Sequence, residues 1–219
     1  SSTSSSQSAA TVNKPDSAII AGCGYAGRRV AAAWQKRGMR VFATTRSTSK
    51  SEELSAAGIS PIVLDLAGTV PLPELPDADV VVWSVGFDRS SGTDRKTLWI
   101  DGLRRLLNAL PARAEPRRIL YTSSTSVYGD GYGQDVDENT EPNPTSEGGL
   151  LCLEAEHLLR DYSIRSSACV SILRLAGIYG PNRLLRKIAD LQHGVPIMSP
   201  PDEWLNLIHV DDAVMAIDC

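Results

Sequence analysis

Three glycines near the beginning of the chain have the spacing of a phosphate-binding turn. Gly22, Gly24 and Gly27 follow the apolar run at 17–21 and precede an amphipathic stretch at 28–37. In a strand–GxGxxG–helix unit, the first glycine allows a tight turn, the second lets the backbone approach a pyrophosphate, and the third lets the helix pack on the strand. The helix N-terminus adds free N–H groups and a positive dipole end. The pattern predicts a nicotinamide-dinucleotide site; the alternative is a structural turn that binds nothing.

The end of the second predicted strand carries a cation and hydroxyl groups but no carboxylate. Thr45, Arg46 and Ser47 lie there. An NAD site usually places Asp or Glu about twenty residues beyond the glycines to bind the ribose 2′-hydroxyl, whereas an arginine suits a 2′-phosphate. The sequence therefore favours NADP, with NAD as the alternative cofactor. Arg46 could instead be a solvated loop residue.

Strand and helix patterns alternate along the chain from residue 17 onward. The strand candidates are nearly continuous in Val, Ile and Leu, which is typical of strands buried on both faces, and Gly38 and Gly58 fall where two helices should end. This alternation predicts an α/β fold: a doubly wound parallel sheet of about six or seven strands with helices on both faces. The predicted strands lie at 18–21, 40–44, 60–64, 80–84, 118–122 and 168–174, and the predicted helices at 26–37, 50–57, 94–109, 150–162 and 183–193.

One polar segment interrupts the alternation. It runs from Gly129 to Gly149 and is rich in Gly, Pro and Asp. A loop of this length inside a compact domain is usually functional or disordered, and this one follows a strand whose carboxyl end should face the cofactor. We therefore expect the loop to border the site.

Composition excludes several classes of protein. The 219 residues are 42% hydrophobic and 22% charged, with a formal net charge of −4. This balance gives no sign of nucleic-acid binding, and no apolar run approaches the roughly 18 residues of a membrane span. The cysteines, Cys23, Cys152, Cys169 and Cys219, lack CxxC spacing, which argues against a zinc site and for a reducing compartment. We expect a cytoplasmic protein, with an organelle stroma as the alternative.

The fifth predicted strand runs into a motif that resembles a known family signature. Residues 121–130, YTSSTSVYGD, resemble the SSxxVYG signature of the extended short-chain dehydrogenase/reductases, the NAD-dependent epimerase/dehydratases. The resemblance covers nearly the whole chain from residue 17 and includes the glycine turn. It implies a Rossmann-type domain, a nicotinamide cofactor, and redox or epimerase chemistry, often on nucleotide sugars. The further motifs that carry it, in order, are Asp65-Leu66, Pro144-Thr145-Ser146, Glu156, 173–181 and 206–212.

The resemblance also implies roles for individual residues. Ser124 is expected to be the active-site hydroxyl that binds the reacting oxygen and stabilises a developing oxyanion, with Thr125 and Ser126 lining the substrate pocket. Tyr128 is the first candidate for the proton donor. The alternative is that these are ordinary loop hydroxyls. The expected cofactor-binding residues are Gly22, Gly24, Tyr25, Ala26, Gly27, Thr45, Arg46, Asp65, Leu66, Ser84, Val85, Gly86, Thr122 and Ser123.

The chain departs from the family at the Tyr-x-x-x-Lys pair. In the family the tyrosine is the general acid/base, and the lysine lowers its pKa and holds the ribose. Counted from Pro144 and Glu156, these positions are Gly148 and Cys152, and no Tyr-x-x-x-Lys occurs within 131–162. Either another residue supplies the proton, or the protein binds NADP(H) without turnover as a sensor or regulatory partner. The local candidates are Tyr128, Tyr132, Glu147 and Cys152, although Cys152 lies in a Leu-rich helix and reads better as a core residue.

The two ends of the chain complete the interpretation. Residues 1–16 are predicted to be a disordered Ser-rich tail, and residues 17–219 the cofactor-binding domain. His209, Asp211 and Asp212 are interpreted as the start of a helix, with one of the aspartates as its N-cap, rather than as a metal site.

Family members usually continue beyond this helix, which implies a reduced or truncated substrate lobe. The resemblance further implies a homodimer formed through the helices at 94–109 and 150–162. Taken together, the sequence predicts an NAD(P)-dependent oxidoreductase or epimerase/dehydratase-like protein acting on a small hydroxylated or nucleotide-sugar-like substrate, with no metal. The alternative is a non-catalytic NADP(H)-binding protein.

Overall fold

Six short apolar segments pair in parallel and form the central sheet. The computed structural model describes residues 15–112, 114–131, 133–183, 192–195 and 205–219. The strand order is β3-β2-β1-β4-β5-β6. Strands β2 and β3 are added on one side of β1, and β4 to β6 are added on its other side. This arrangement confirms the predicted doubly wound α/β fold. The strands are β1 (Ser17–Ala21), β2 (Arg40–Thr45), β3 (Ser60–Val63), β4 (Val80–Trp83), β5 (Arg118–Ser124) and β6 (Cys169–Leu175). A separate parallel pair joins β7 (Gly177–Tyr179) to β8 (Leu207–His209).

Helices cover both faces of the sheet. They are α1 (Gly27–Lys36), α2 (Thr48–Ala56), α3 (Gly102–Ala109), α4 (Glu147–Arg165) and α5 (Val210–Asp218). Side chains alternate along each strand, so Ile19 and Val81 pack towards α3 and α4, whereas Ile20 and Val82 pack towards α1, α2 and α5. Within the described ranges, no helix is long and apolar enough to cross a membrane.

The observed ends of several elements correct the sequence-based boundaries. The predicted helix at 94–109 is divided, because Thr97–Asp101 forms a π-helical turn before α3 begins at Gly102. The predicted loop ends earlier than Gly149, since α4 begins at Glu147 and the Ser146 hydroxyl caps it by accepting a hydrogen bond from the Gly149 N–H at 3.1 Å. The strand β5 continues to Ser124, two residues beyond its predicted end.

The N-cap predicted for the last helix was wrong. His209 occupies that position, and its Nδ1 accepts a hydrogen bond from the Asp211 N–H at 3.3 Å. Asp211 and Asp212 lie in the first turn instead, where their negative charges favour the positive end of the helix dipole. Most of the predicted helix at 183–193 and residues 1–14 of the predicted tail lie outside the described residues.

A buried ion pair connects α4 to the sheet. Glu156 is fully buried on α4, and Arg174 on β6 donates to its two carboxylate oxygens at 3.0 and 2.8 Å. The Ser123 hydroxyl on β5 donates to the same carboxylate at 2.7 Å. The hydrogen bonds to Glu156 raise the pKa of the Arg174 guanidinium. A carboxylate removed from water requires such partners, and they fix the position of α4 relative to β5 and β6.

We expect Glu156→Gln to lower the free energy of unfolding by about 3 kcal/mol, because Arg174 loses its charged partner in the interior. Urea denaturation measures this change. The matched control is Arg160→Gln, since Arg160 reaches the same carboxylate at 3.5 Å from a half-exposed position. That control should change stability by less than about 1 kcal/mol. Equal losses in the two variants would show that the pair does not anchor α4.

Candidate functional site

A cleft of about 710 Å³ opens where β1, β2 and β4 end. It lies at the switch point between β1 and β4, the place where doubly wound sheets bind ligands. The predicted cofactor-binding residues that line it are Gly22, Gly24, Tyr25, Ala26, Thr45, Arg46, Leu66, Ser84, Val85, Gly86 and Thr122. Ser47, which the sequence analysis named beside Arg46, also lines it, and lining residues that the sequence analysis did not single out include Arg28, Lys50, Asp88 and Arg183.

The three glycines of the turn have different spatial surroundings. Gly22 has a φ of +87°, and a Cβ there would lie 2.3 Å from the backbone oxygen of Ser84. A Cβ on Gly27 would lie 2.8 Å from the backbone oxygen of Gly22, so Gly27 serves the packing of α1 and does not line the cleft. A Cβ on Gly24 would meet no protein atom within 4 Å. Gly24 therefore leaves open space at the N-terminus of α1, which fits a pyrophosphate.

One end of the cleft is positively charged. Arg46 ends the turn after β2, and Ser47 caps α2 by accepting a hydrogen bond from the Lys50 N–H at 3.3 Å. Hydrogen bonds from Ser90 lower the pKa of the nearby Asp88 carboxyl, and the charges of Arg46 and Lys50 lower it further. Arg28 also lines the cleft, although Glu53 pairs with it at 2.6 Å. These cations would attract phosphate groups.

Asp65 lies beside the cleft rather than on its wall. Its carboxylate accepts a hydrogen bond from the Ala67 N–H at 3.0 Å, and its side chain is exposed. Leu64 and Leu66, on either side of it, line the cleft. The expected contact of Asp65 with adenine stays a prediction.

The hydroxyls at the end of β5 point in different directions. Thr122 lines the cleft and donates to the backbone oxygen of Trp83 at 3.2 Å, whereas the Ser123 side chain turns inward to Glu156. Ser124 accepts a hydrogen bond from the Ser126 N–H at 3.1 Å and so begins a short 3₁₀ turn, Thr125–Tyr128. None of the residues 123–128 lines the cleft itself. Ser124 and the two hydroxyls after it stay predicted substrate contacts.

Two contacts hold the Tyr128 side chain, one at its hydroxyl and one at its ring. Its hydroxyl donates to the backbone oxygen of Asp137 at 2.6 Å, and the Arg174 guanidinium lies 4.8 Å from its ring centroid. Proton transfer by Tyr128 would require its hydroxyl to leave Asp137. The role of Tyr128 as proton donor stays a prediction.

The positions that the sequence analysis assigned to the family's tyrosine and lysine lie in the first turns of α4. A Cβ on Gly148 would meet open space, and Cys152 is buried one turn later. Burial raises the pKa of the Cys152 thiol, against the smaller lowering effects of the Tyr121 hydroxyl and the Arg95 charge. A neutral, buried thiol supports the interpretation of Cys152 as a core residue. Tyr132 lies outside the described residues.

The sequence analysis missed a contact between the glycine turn and the distant β7 region. Tyr25 donates to the backbone oxygen of Pro181 at 2.8 Å. The guanidinium groups of Arg29 and Arg183 lie 4.2 and 5.1 Å from its ring centroid. Helical spacing places Arg29 four residues after Tyr25 and could have indicated that pair; nothing local indicated Arg183.

Comparisons with known proteins agree with this geometry. The family model for the NAD-dependent epimerase/dehydratase family matches residues 18–219. Protein YeeZ of Escherichia coli is 32% identical over 209 residues, which cover 90% of this chain and 70% of that protein. The dTDP-L-rhamnose 4-epimerase of Burkholderia thailandensis is 27% identical over a segment that covers 53% of this chain and 44% of that protein. The UDP-glucuronic acid 4-epimerase of Bacillus cereus in complex with NAD shares the fold, with a TM-score of 0.75 and 23% identity over 92% of this chain and 72% of that one.

Two alanine substitutions in the glycine turn should have separate effects. Gly24→Ala should leave thermal stability unchanged, because its methyl group meets open space, but should weaken NAD(P)H binding at least about tenfold by blocking the pyrophosphate. Gly22→Ala should lower the melting temperature, because its methyl group meets Ser84 and its φ is positive. Thermal unfolding and calorimetric titration measure the two effects. Unchanged cofactor affinity in Gly24→Ala would identify the turn as purely structural.

Proposed function

This chain belongs to the NAD-dependent epimerase/dehydratase family, and we propose on that premise that it is an NAD(P)-dependent oxidoreductase or epimerase. Its substrate would be a small hydroxylated or nucleotide-sugar-like molecule. The observation that carries the proposal is the cleft at the switch point, which combines an open phosphate cradle at Gly24 with cations at the end of β2.

The residues of the cleft suit the parts of a dinucleotide. The turn at 22–27 and the N-terminus of α1 would hold the phosphates, and the backbone of Ser84, Val85 and Gly86 would border the rest of the cofactor. A bound nicotinamide supplies the chemistry of hydride transfer. Ser124 uses an oxygen lone pair for the Ser126 N–H, so its hydroxyl hydrogen can be donated to a substrate oxygen. That donation would orient the substrate and stabilise a developing oxyanion.

The charge at the end of β2 supports NADP as the preferred cofactor. Arg46 and Lys50 both line the cleft, and Thr45 and Ser47 add hydroxyl groups. A 2′-phosphate carries negative charge that these cations would bind, whereas an NAD site would be expected to present a carboxylate to the 2′-hydroxyl.

Two observations favour a second candidate function, the binding of NADP(H) without turnover. Gly148 has no side chain, and the Cys152 thiol is buried and neutral. A protein with these substitutions could bind NADP(H) as a sensor without turning over a substrate. Retention of the Ser124 motif argues for the enzyme.

We expect Arg46→Gln to weaken NADPH binding about tenfold and to leave NADH binding unchanged, because only NADPH carries the 2′-phosphate. Calorimetric titration of both cofactors measures the change. Arg40→Gln is the matched control, since Arg40 begins β2 at the opposite end of the sheet and is exposed. Tenfold tighter binding of NADH than NADPH to the unaltered chain would overturn the assignment of NADP.

Ser124→Ala tests whether the protein is an enzyme. If Ser124 stabilises an oxyanion, its loss should lower kcat about 100-fold on any substrate found in a panel of hydroxylated compounds and nucleotide sugars. NADPH affinity, measured by calorimetry on the same variant, should not change. No turnover of the panel by the unaltered chain, with NADPH binding intact, would favour the sensor.

A further inference from the structure

Arg95 lies between the wall of the cofactor cleft and the first turn of α4. The chain leaves the cleft through Ser84, Val85 and Gly86 and continues into Phe87. The Arg95 guanidinium lies 4.9 Å from the Phe87 ring centroid. On its other side, Nη1 donates to the Glu147 carboxylate at 2.8 Å. Arg95 therefore bridges the end of β4 and the start of α4.

Aromatic rings shield Arg95 from water. Phe87 and Trp99 meet edge to face at 6.2 Å, and the guanidinium lies 5.9 Å from the Trp99 ring centroid. Only 26% of the Arg95 side chain is exposed. Among the described residues, the buried Nε of Arg95 has no hydrogen-bond partner. A guanidinium fixed in such surroundings attracts an anion more strongly than one in open water.

Two contacts place Arg95 close to the expected substrate site, its own with Glu147 and that of Gly149 with Ser126. Glu147, its partner, directly precedes Gly148, where a Cβ would meet open space. The next residue, Gly149, packs so closely on the 3₁₀ turn after Ser124 that a Cβ there would lie 2.4 Å from the Ser126 oxygen. The first turn of α4 thus lies on the segment that carries the Ser124 hydroxyl, and it brings Arg95 to the same region.

The ion pair with Glu147 shows that the Arg95 guanidinium binds a carboxylate. Its carboxylate binds Arg95, yet its side chain is 72% exposed. Such a carboxylate can move into solvent when an incoming anion takes over its hydrogen bond to Arg95, because the shielded guanidinium then keeps a charged partner. A planar guanidinium has five donors in a fork that matches a carboxylate, so an incoming carboxylate can take the place that Glu147 leaves.

We propose that Arg95 is a substrate-binding residue that selects a carboxylate on the substrate, and that Glu147 occupies the guanidinium until the substrate displaces it. The proposal rests on the proposed function and narrows its substrate class to small hydroxy acids and sugar acids. Arg95 binds and orients the carboxylate, while Ser124 binds the oxygen that reacts.

The test compares acids with their uncharged counterparts. The NADPH-saturated chain is titrated by calorimetry with D-gluconate and D-glucitol, and with D-glucuronate and D-glucose. We expect at least one acid to bind about tenfold or more tightly than its uncharged counterpart. Arg95→Gln should weaken binding of that acid about 10- to 100-fold while leaving the uncharged counterpart and NADPH unchanged. Arg95→Lys should give an intermediate loss, because it keeps the charge without the fork.

Two further variants separate binding from folding. Glu147→Gln should strengthen acid binding a few-fold, because it removes the competing carboxylate. Arg104→Gln is the matched control, since Arg104 is an exposed arginine on α3 that pairs with Asp101 at 3.4 Å. It should change neither acid binding nor NADPH binding.

Several results would overturn the role of Arg95. One is that the chain binds neither acid more tightly than its uncharged counterpart. Another is that Arg95→Gln weakens binding of the acid and of its uncharged counterpart equally. A third is that Glu147→Gln weakens acid binding. If NADPH and NADH both fail to bind, the proposed function falls and this proposal falls with it. If NADPH binds and the acids do not, only the role of Arg95 falls.

Discussion

The close approach of β1 and β4 at their carboxyl ends is the constraint on which the cleft depends. The backbone of Gly22 lies so near Ser84 that a side chain between them cannot fit. The two strands stay paired up to that point. Beyond it the chain separates, and β1 continues into α1 while β4 continues towards Phe87. The space between these continuations is the cleft. Its shape therefore follows from a missing side chain and from the reversal of strand order between β1 and β4.

The sequence was most informative where structure depends on neighbouring residues. Continuous apolar runs predicted all six strands of the described sheet, and the glycine spacing predicted the turn after β1, since both signals are local. Boundaries were less certain where two local signals disagree. Gly148 and Gly149 suggested a loop, whereas the Ser146 cap and the burial of Gly149 against Ser126 make them the first turn of α4. His209 was passed over as a cap because aspartate is the commoner capping residue.

Contacts between distant segments could not be predicted from one sequence. Arg95 and Glu147 are separated by 52 positions, and no motif marks either of them as a partner of the other. The same holds for Arg174, whose carboxylate partner Glu156 was visible as part of a motif but not as a buried ion. Motif reasoning predicted a departure from the family at Gly148 and Cys152, and that departure stays a prediction. Only the fold reveals that a different cation lies near those positions.

The contact of Tyr25 with Pro181 gives the cleft a property that the glycine turn alone would lack. Tyr25 belongs to the phosphate-binding turn, but its hydroxyl and ring are held by Pro181 and Arg183, more than 150 positions later in the chain. A dinucleotide therefore meets a turn whose conformation is shared with the region after β6. If that region moves away, the turn loses its contacts with Pro181 and Arg183. The apparent affinity for the dinucleotide then falls in proportion to the fraction of molecules that keep these contacts. Thermodynamic linkage then works in both directions: a dinucleotide bound at the glycine turn also stabilises the region after β6.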